Sequence, residues 1–260
     1  MNTKNRKWIF TIGSGNDILL VLPRKDGFEI TIKEWELLHN LLYGAFKIIV
    51  LDLPEYLIQK NNYKHDITPK DMANTLFSVI DEIEISKIRG LIGVSLGGMI
   101  AQEFIRNYYY IPTIIISSIS KNNEKTTSVF RTWKNLLKFS DINSFQIALK
   151  TWLTTDDIYL EKNILQSKKR STNFSKRKEL LCLNAITNHN LTDIKMNNIK
   201  PILVLYGEKS PLIGKEESFD FCEYFERVKI IGIRDSGMRI LNDNPIEAYS
   251  YILKYIKKEC

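Results

Sequence analysis

The sequence predicts an α/β fold built on a mainly parallel sheet of about eight strands, and three observations predict it. Short β-branched runs alternate with segments of helical apolar periodicity along most of the 260 residues. A G-x-S-x-G run, Gly93-Val94-Ser95-Leu96-Gly97, stands where one such apolar run meets a helical pattern. One stretch of about eighty residues, 119–198, carries helical patterns and no strand, and it is too long for a loop.

The elements follow in order. Lys7 to Ile12 and Asp17 to Leu22 read as strands on either side of a turn at Gly13-Ser14-Gly15-Asn16. Glu34 to Leu42 has a helical apolar pattern, and Phe46 to Leu51 is a strand that ends in the turn Asp52-Leu53-Pro54. Thr68-Pro69 opens a helix whose apolar residues Met72, Leu76, Val79, Ile80 and Ile83 fall on one face. That helix feeds the strand ending at Ser95. Pro112 to Ser117, Pro201 to Tyr206 and Val228 to Ile233 are further strands, with a helix over Glu217 to Phe225 and another starting near Pro245. Within 119–198, Phe130, Trp133, Leu136 and Leu137 recur at helical spacing, as do Phe145, Ala148, Leu149 and Trp152. Such stripes bury against neighbouring helices.

At the G-x-S-x-G run the glycines let the chain turn sharply enough to hold a strained serine above the sheet edge. The helix that follows points its free N–H groups at the same place, so an oxyanion there is stabilised by the Leu96 N–H and the positive helix end. On this motif and the order of its elements, the chain resembles the α/β-hydrolase superfamily over nearly its whole length, and Gly93 to Gly97 is similar to that family's nucleophile elbow. The resemblance implies a core of residues 1–118 and 199–260 with helices on both faces, and a helical cap, 119–198, at the family's usual insertion point. It also implies that Ser95 is the nucleophile and that Leu96, with a residue after the second strand, donates the oxyanion hydrogen bonds. In this chain that second position falls at Arg24, within Pro23-Arg24-Lys25-Asp26-Gly27, where a His-Gly pair is common in the family. The Arg24 side chain is either a fixed charge for a substrate carboxylate or phosphate, or an ordinary solvent-facing arginine.

A serine hydroxyl needs a base. The family's acid position, in Gly207-Glu208-Lys209-Ser210, matches Ser210, and its histidine position, in Asp235-Ser236-Gly237-Met238, matches Met238. The spacing from Met238 to Pro245 is normal for the family, so the histidine is replaced and not deleted. His189, between Asn188 and Asn190, is the candidate substitute; His39 and His65 read as structural or surface residues, and Glu208 lacks a histidine to orient. Losing one triad member typically costs on the order of 10⁴ to 10⁶ in turnover. Two readings stay open. One is a non-hydrolytic member that binds a small molecule, an acyl carrier or a protein in the pocket. The other is an atypical serine hydrolase, acyltransferase or lyase acting on an ester or thioester, with His189, a water or the substrate as base.

Composition narrows the classes. With 44% hydrophobic and 26% charged residues the chain is ordinary globular material. Its apolar runs are broken by polar residues, so no secretory signal or membrane span is expected. Cys182, Cys222 and Cys260 are widely spaced, which suits a reducing, cytoplasmic compartment and gives no metal-ligand pattern; neither metal nor cofactor is expected. Lys121 to Glu179 holds 13 Lys or Arg against 6 Asp or Glu, an excess equal to the whole net charge of +7. Clusters such as Lys168-Lys169-Arg170 and Lys176-Arg177-Lys178 can steer an anionic carrier or small molecule, or can be a solvated basic surface. Basic residues are not interleaved with aromatics on a recognisable module, which argues against nucleic acid.

Overall fold

The computed structural model describes residues 8–25, 28–61, 63, 66–80, 83, 85–108, 110–153, 175–191 and 195–260, with the side chains of 28–30 left aside. Strands β1 (Ile9–Ile12), β2 (Ile18–Leu22), β3 (Lys47–Leu51), β4 (Ile88–Val94), β5 (Thr113–Ile116), β6 (Ile202–Gly207) and β7 (Val228–Ile233) form one sheet. Their order is β1-β3-β2-β4-β5-β6-β7, antiparallel only at β1–β3. Seven strands are thus present among the described residues where about eight are expected, and Ser95 follows the fourth. The first strand, expected from Lys7, starts at Ile9; Met1 to Lys7 lie outside the described residues.

Side chains along each strand alternate between two cores, as the pleat requires. Leu19 and Val21 of β2 join Trp35 and Leu38 of α1 (Phe28–Leu41) and Ile252 and Ile256 of the C-terminal helix Pro245–Glu259 on one face. Leu20 and Leu22 point the other way, toward Met72 and Leu76 of α3 (Pro69–Ile80) and Met99 and Phe104 of α4 (Leu96–Ile105). Both faces are covered, which is why the strands read as continuous apolar runs.

Three local differences from the expected elements have physical causes. The first helix begins six residues ahead of Glu34, through the β-branched run Ile30-Thr31-Ile32, because burial of Thr31 and Trp35 overrides weak local propensity. Asp52-Leu53-Pro54 is the start of a helix, α2 (Leu53–Lys60): the Asp52 carboxylate accepts the Glu55 N–H at 3.0 Å and proline occupies the first turn, where its missing N–H costs nothing. The helix expected over Glu217 to Phe225 is two short ones, Lys215–Phe219 and Phe221–Tyr224.

Between β5 and β6 the described residues hold three helices and no strand of the sheet. α5 (Glu124–Phe139) starts at a capping box of Asn123 and Thr126; α6 (Ile142–Leu153) runs back along it, with Trp133 Nε1 donating to the Ala148 carbonyl at 3.3 Å. α7 (Lys176–Thr187) packs on α5, α2 and α4. No helix of the described residues is long and apolar enough to cross a membrane.

Candidate functional site

The sheet order reverses between β2 and β4, so the loops leaving the carboxyl ends of those strands diverge toward opposite faces of the sheet. Ser95 sits at that point. Its backbone is left-handed, φ 52° and ψ −115°, a conformation that costs a non-glycine residue roughly 1–3 kcal/mol and persists only when neighbours over-determine it. The neighbours do so from three directions. The Ser95 N–H donates to Ile116 O of β5 at 2.9 Å, and its carbonyl accepts from Gly98 N at 2.9 Å, Met99 N at 3.2 Å and Ser118 Oγ at 2.8 Å. The motif glycines permit the packing: a Cβ on Gly97 would lie 1.9 Å from Leu22 O, and one on Gly93 would lie 2.5 Å from Gly97 O.

Gly97's close approach brings the Pro23 carbonyl and the chain leading to Arg24 against the start of α4. The first intrahelical bonds come from Gly98 and Met99, so the Leu96 and Gly97 N–H groups form the open, positive helix end beside Ser95. The Arg24 guanidinium is neither solvent-facing nor a bare charge. Its Nη1 lies 3.0 Å from Glu34 Oε1 of α1, with both side chains largely buried, and Tyr249 OH donates to the Glu34 carbonyl at 2.9 Å.

This geometry has wide company among solved structures. The chain superposes on MGS-M2, an α/β hydrolase enzyme from a Medee basin deep-sea metagenome library, with a TM-score of 0.78 at 13% identity, covering 96% of this chain and 94% of that one. The α/β-hydrolase fold is the fold of this chain. A putative non-heme bromoperoxidase, BpoC of Mycobacterium tuberculosis H37Rv, matches at TM-score 0.75 and 13% identity over 97% and 96% of the two chains. Homoserine O-acetyltransferase of Staphylococcus aureus matches at 0.77 and 16% identity over 94% and 88%. No family model and no curated protein matches the sequence.

On this α/β-hydrolase scaffold the loops after β6 and β7 are locked together. Lys209 N donates to Ser236 O at 2.9 Å, Gly237 N donates to Asp243 Oδ2 at 2.8 Å, and the Ser210 hydroxyl accepts the Ile213 N–H at 3.1 Å. Burial pushes the Asp243 carboxyl up, against the pull of its hydrogen bond from Gly237 and of the nearby Arg239 and Arg24 charges. Met238, half-buried, packs on the same apolar core as Leu96, Met99 and Phe130. Glu208 is exposed and lies over Gly232.

The Ser95 hydroxyl has no hydrogen-bond partner among the described residues. His189 is buried elsewhere: its Nε2 is 3.1 Å from Ile119 O, a carbonyl that also accepts from Gln102 Nε2 at 2.9 Å. Burial pushes this imidazole down to about 4, and its Nδ1 has no partner among the described residues. His39 stands against Gly13 on the first helix, and His65 lies outside the described residues.

Two buried ion pairs beside the elbow carry no signal in the sequence, because their members lie more than a hundred residues apart. Lys25 Nζ pairs with Glu179 of α7, and Lys178 Nζ pairs with Asp52 at 2.6 Å and Glu55 at 3.4 Å. Burial alone would push the Lys178 ammonium down; the facing Asp52 carboxylate outweighs it and holds the amine above its ordinary range. The Cys182 thiol, near Glu179, Lys178, Lys25 and Asp52, is pushed well up by its burial. Arg177 stacks on Tyr63 and bonds Asn61 Oδ1 at 2.5 Å. Of the Lys176-Arg177-Lys178 cluster, Lys178 is held by the Asp52 and Glu55 carboxylates while Lys176 and Arg177 are exposed, and Lys168-Lys169-Arg170 lies outside the described residues.

Proposed function

We propose that this chain is an α/β-hydrolase-fold protein that binds a small acyl compound, or an acyl group on a carrier, at the Ser95 elbow beneath the 119–198 helices acting as a cap, without ordinary triad hydrolysis. The observation that carries the reading is the Ser95 hydroxyl, which accepts or donates no hydrogen bond among the described residues, while the loops where a histidine and an acid would stand hold Met238 and Ser210. Without a base the hydroxyl keeps its proton and stays a weak nucleophile. The cysteines are unpaired, which fits a reducing compartment such as the cytoplasm.

A second reading rests on the retained strain at Ser95 and the open Leu96 and Gly97 N–H groups, which suit an oxyanion. In that reading Ser95 takes an acyl group from an activated ester or thioester, with the substrate supplying the base; one structural neighbour is an acetyltransferase. A fluorophosphonate probe separates the two. Slow, substoichiometric labelling of Ser95 is expected. Rapid stoichiometric labelling that Ser95→Ala abolishes would overturn the binding-protein reading and establish a base outside the described residues.

A further inference from the structure

α6 is an apolar helix that the fold only partly covers. Of Ile142, Phe145, Ile147, Ala148, Leu149, Trp152 and Leu153, only Phe145 is buried. At the hairpin end Phe139 is 85% exposed, and Ile147 is 43% exposed. Phe139 thus leaves a large apolar side chain in water at the tip of the hairpin. From residue 126 to the end of α5 the charged residues are all basic. Arg131 and Lys138 are exposed and Lys134 is half-exposed, and none of the three has a carboxylate within ion-pair distance among the described residues. Lys134 and Lys138, one helical turn apart, repel each other, and burial together with that repulsion pushes Lys134 down. Two carboxylates stand at the ends of α5: Glu124 is at its far N-terminus, and Asp141 is occupied by the Asn143 and Ser144 N–H groups and the Ser144 hydroxyl.

We propose that the α5–α6 hairpin is a docking face for an anionic lipid surface, with Phe139 and Ile147 entering the headgroup boundary and Arg131, Lys134 and Lys138 meeting the lipid phosphates and carboxylates. Long basic side chains around an aromatic tip suit an interface that is apolar below and negative above. Charge argues against a second copy on the same face, since a two-fold contact would set three cations opposite three cations. The inference is independent of the chemistry at Ser95.

The test is sedimentation of the full chain with vesicles of phosphatidylcholine alone and of phosphatidylcholine mixed with phosphatidylserine. Binding to the mixed vesicles, weakened by salt and absent from phosphatidylcholine alone, is the expected result. Phe139→Ser should lower the partition coefficient about tenfold, and Lys134→Glu with Lys138→Glu should lower it by roughly a hundredfold. Unchanged circular dichroism and melting temperature show that the variants stay folded, and Ile147→Ser stands in for any that does not. Absence of binding to the mixed vesicles, or binding indifferent to these variants, overturns the proposal. So does a dimer in light scattering without vesicles that Phe139→Ser dissolves, which would assign the face to a second copy.

Discussion

Ser95 shows how a strained residue is kept. Its left-handed backbone is pinned by Ile116, Gly98, Met99 and Ser118, yet its hydroxyl is idle among the described residues. Met238 and Ser210, proposed above as the positions of the missing groups, sit in loops cross-linked through Ser236, Gly237 and Asp243. Placing histidine at 238 and aspartate at 210 therefore adds groups without rebuilding the loops. Met238→His with Ser210→Asp should raise turnover of a small activated ester about tenfold over the parent, a small part of what a full triad supplies. Each single change should do less, since an unoriented imidazole favours the wrong tautomer and a lone aspartate has nothing to orient. Equal rates for the folded double variant and the parent on several short acyl esters would remove Met238 and Ser210 from the list of triad positions.

At the scale of elements, α7 shows what periodicity cannot reveal. Every residue from Leu181 to Ile186 is buried, more than a single helical stripe, and the helix's placement against α4 comes with charge pairs to Lys25 and Asp52. Lys25 and Glu179 are each about nine-tenths buried, so removing one leaves the other desolvated and unmatched. Lys25→Met should lower unfolding free energy by about 3 kcal/mol, and adding Glu179→Met should restore most of it, because the desolvation cost of both charges disappears together. Urea titrations of the two single variants and the double variant close the cycle. A double variant as unstable as the sum of the singles would mean that the pair acts by packing and not by charge. The strands and the elbow were legible because each depends on a local run of residues; Val228 to Ile233 is found where the sequence places it. The helix at Asp52 was misread as a turn because an aspartate and a proline serve both structures.

The whole molecule joins two cores across one sheet, and the alternation of strands and helices made that architecture readable; which buried groups lie between the cores and the inserted helices was not readable, since it depends on contacts between distant segments. His189 is the case with a measurable consequence. In the sequence it is a lone histidine between asparagines, whereas in the fold it is buried, with Nε2 on Ile119 O and Nδ1 without a partner among the described residues. With Nε2 donating to that carbonyl, a proton added at Nδ1 would be a buried donor with no acceptor, so the native imidazole resists protonation down to about 4 against an ordinary value of 6.5. Its folded value is depressed, so the unfolded chain takes up a proton first as pH falls below 6.5. The native state thus loses stability between about 6.5 and about 4, by up to roughly 3 kcal/mol at the bottom of that window. Carboxylates such as Asp243 also titrate in acid, but they are common to wild type and variant. His189→Gln keeps a donor for Ile119 O and removes the titration, so the difference in unfolding free energy between the two proteins should change steadily across this window and level off above neutral pH. A difference that stays flat from neutral pH to pH 4 would show that His189 is protonated in the native state, with Nδ1 hydrogen-bonded to an acceptor outside the described residues.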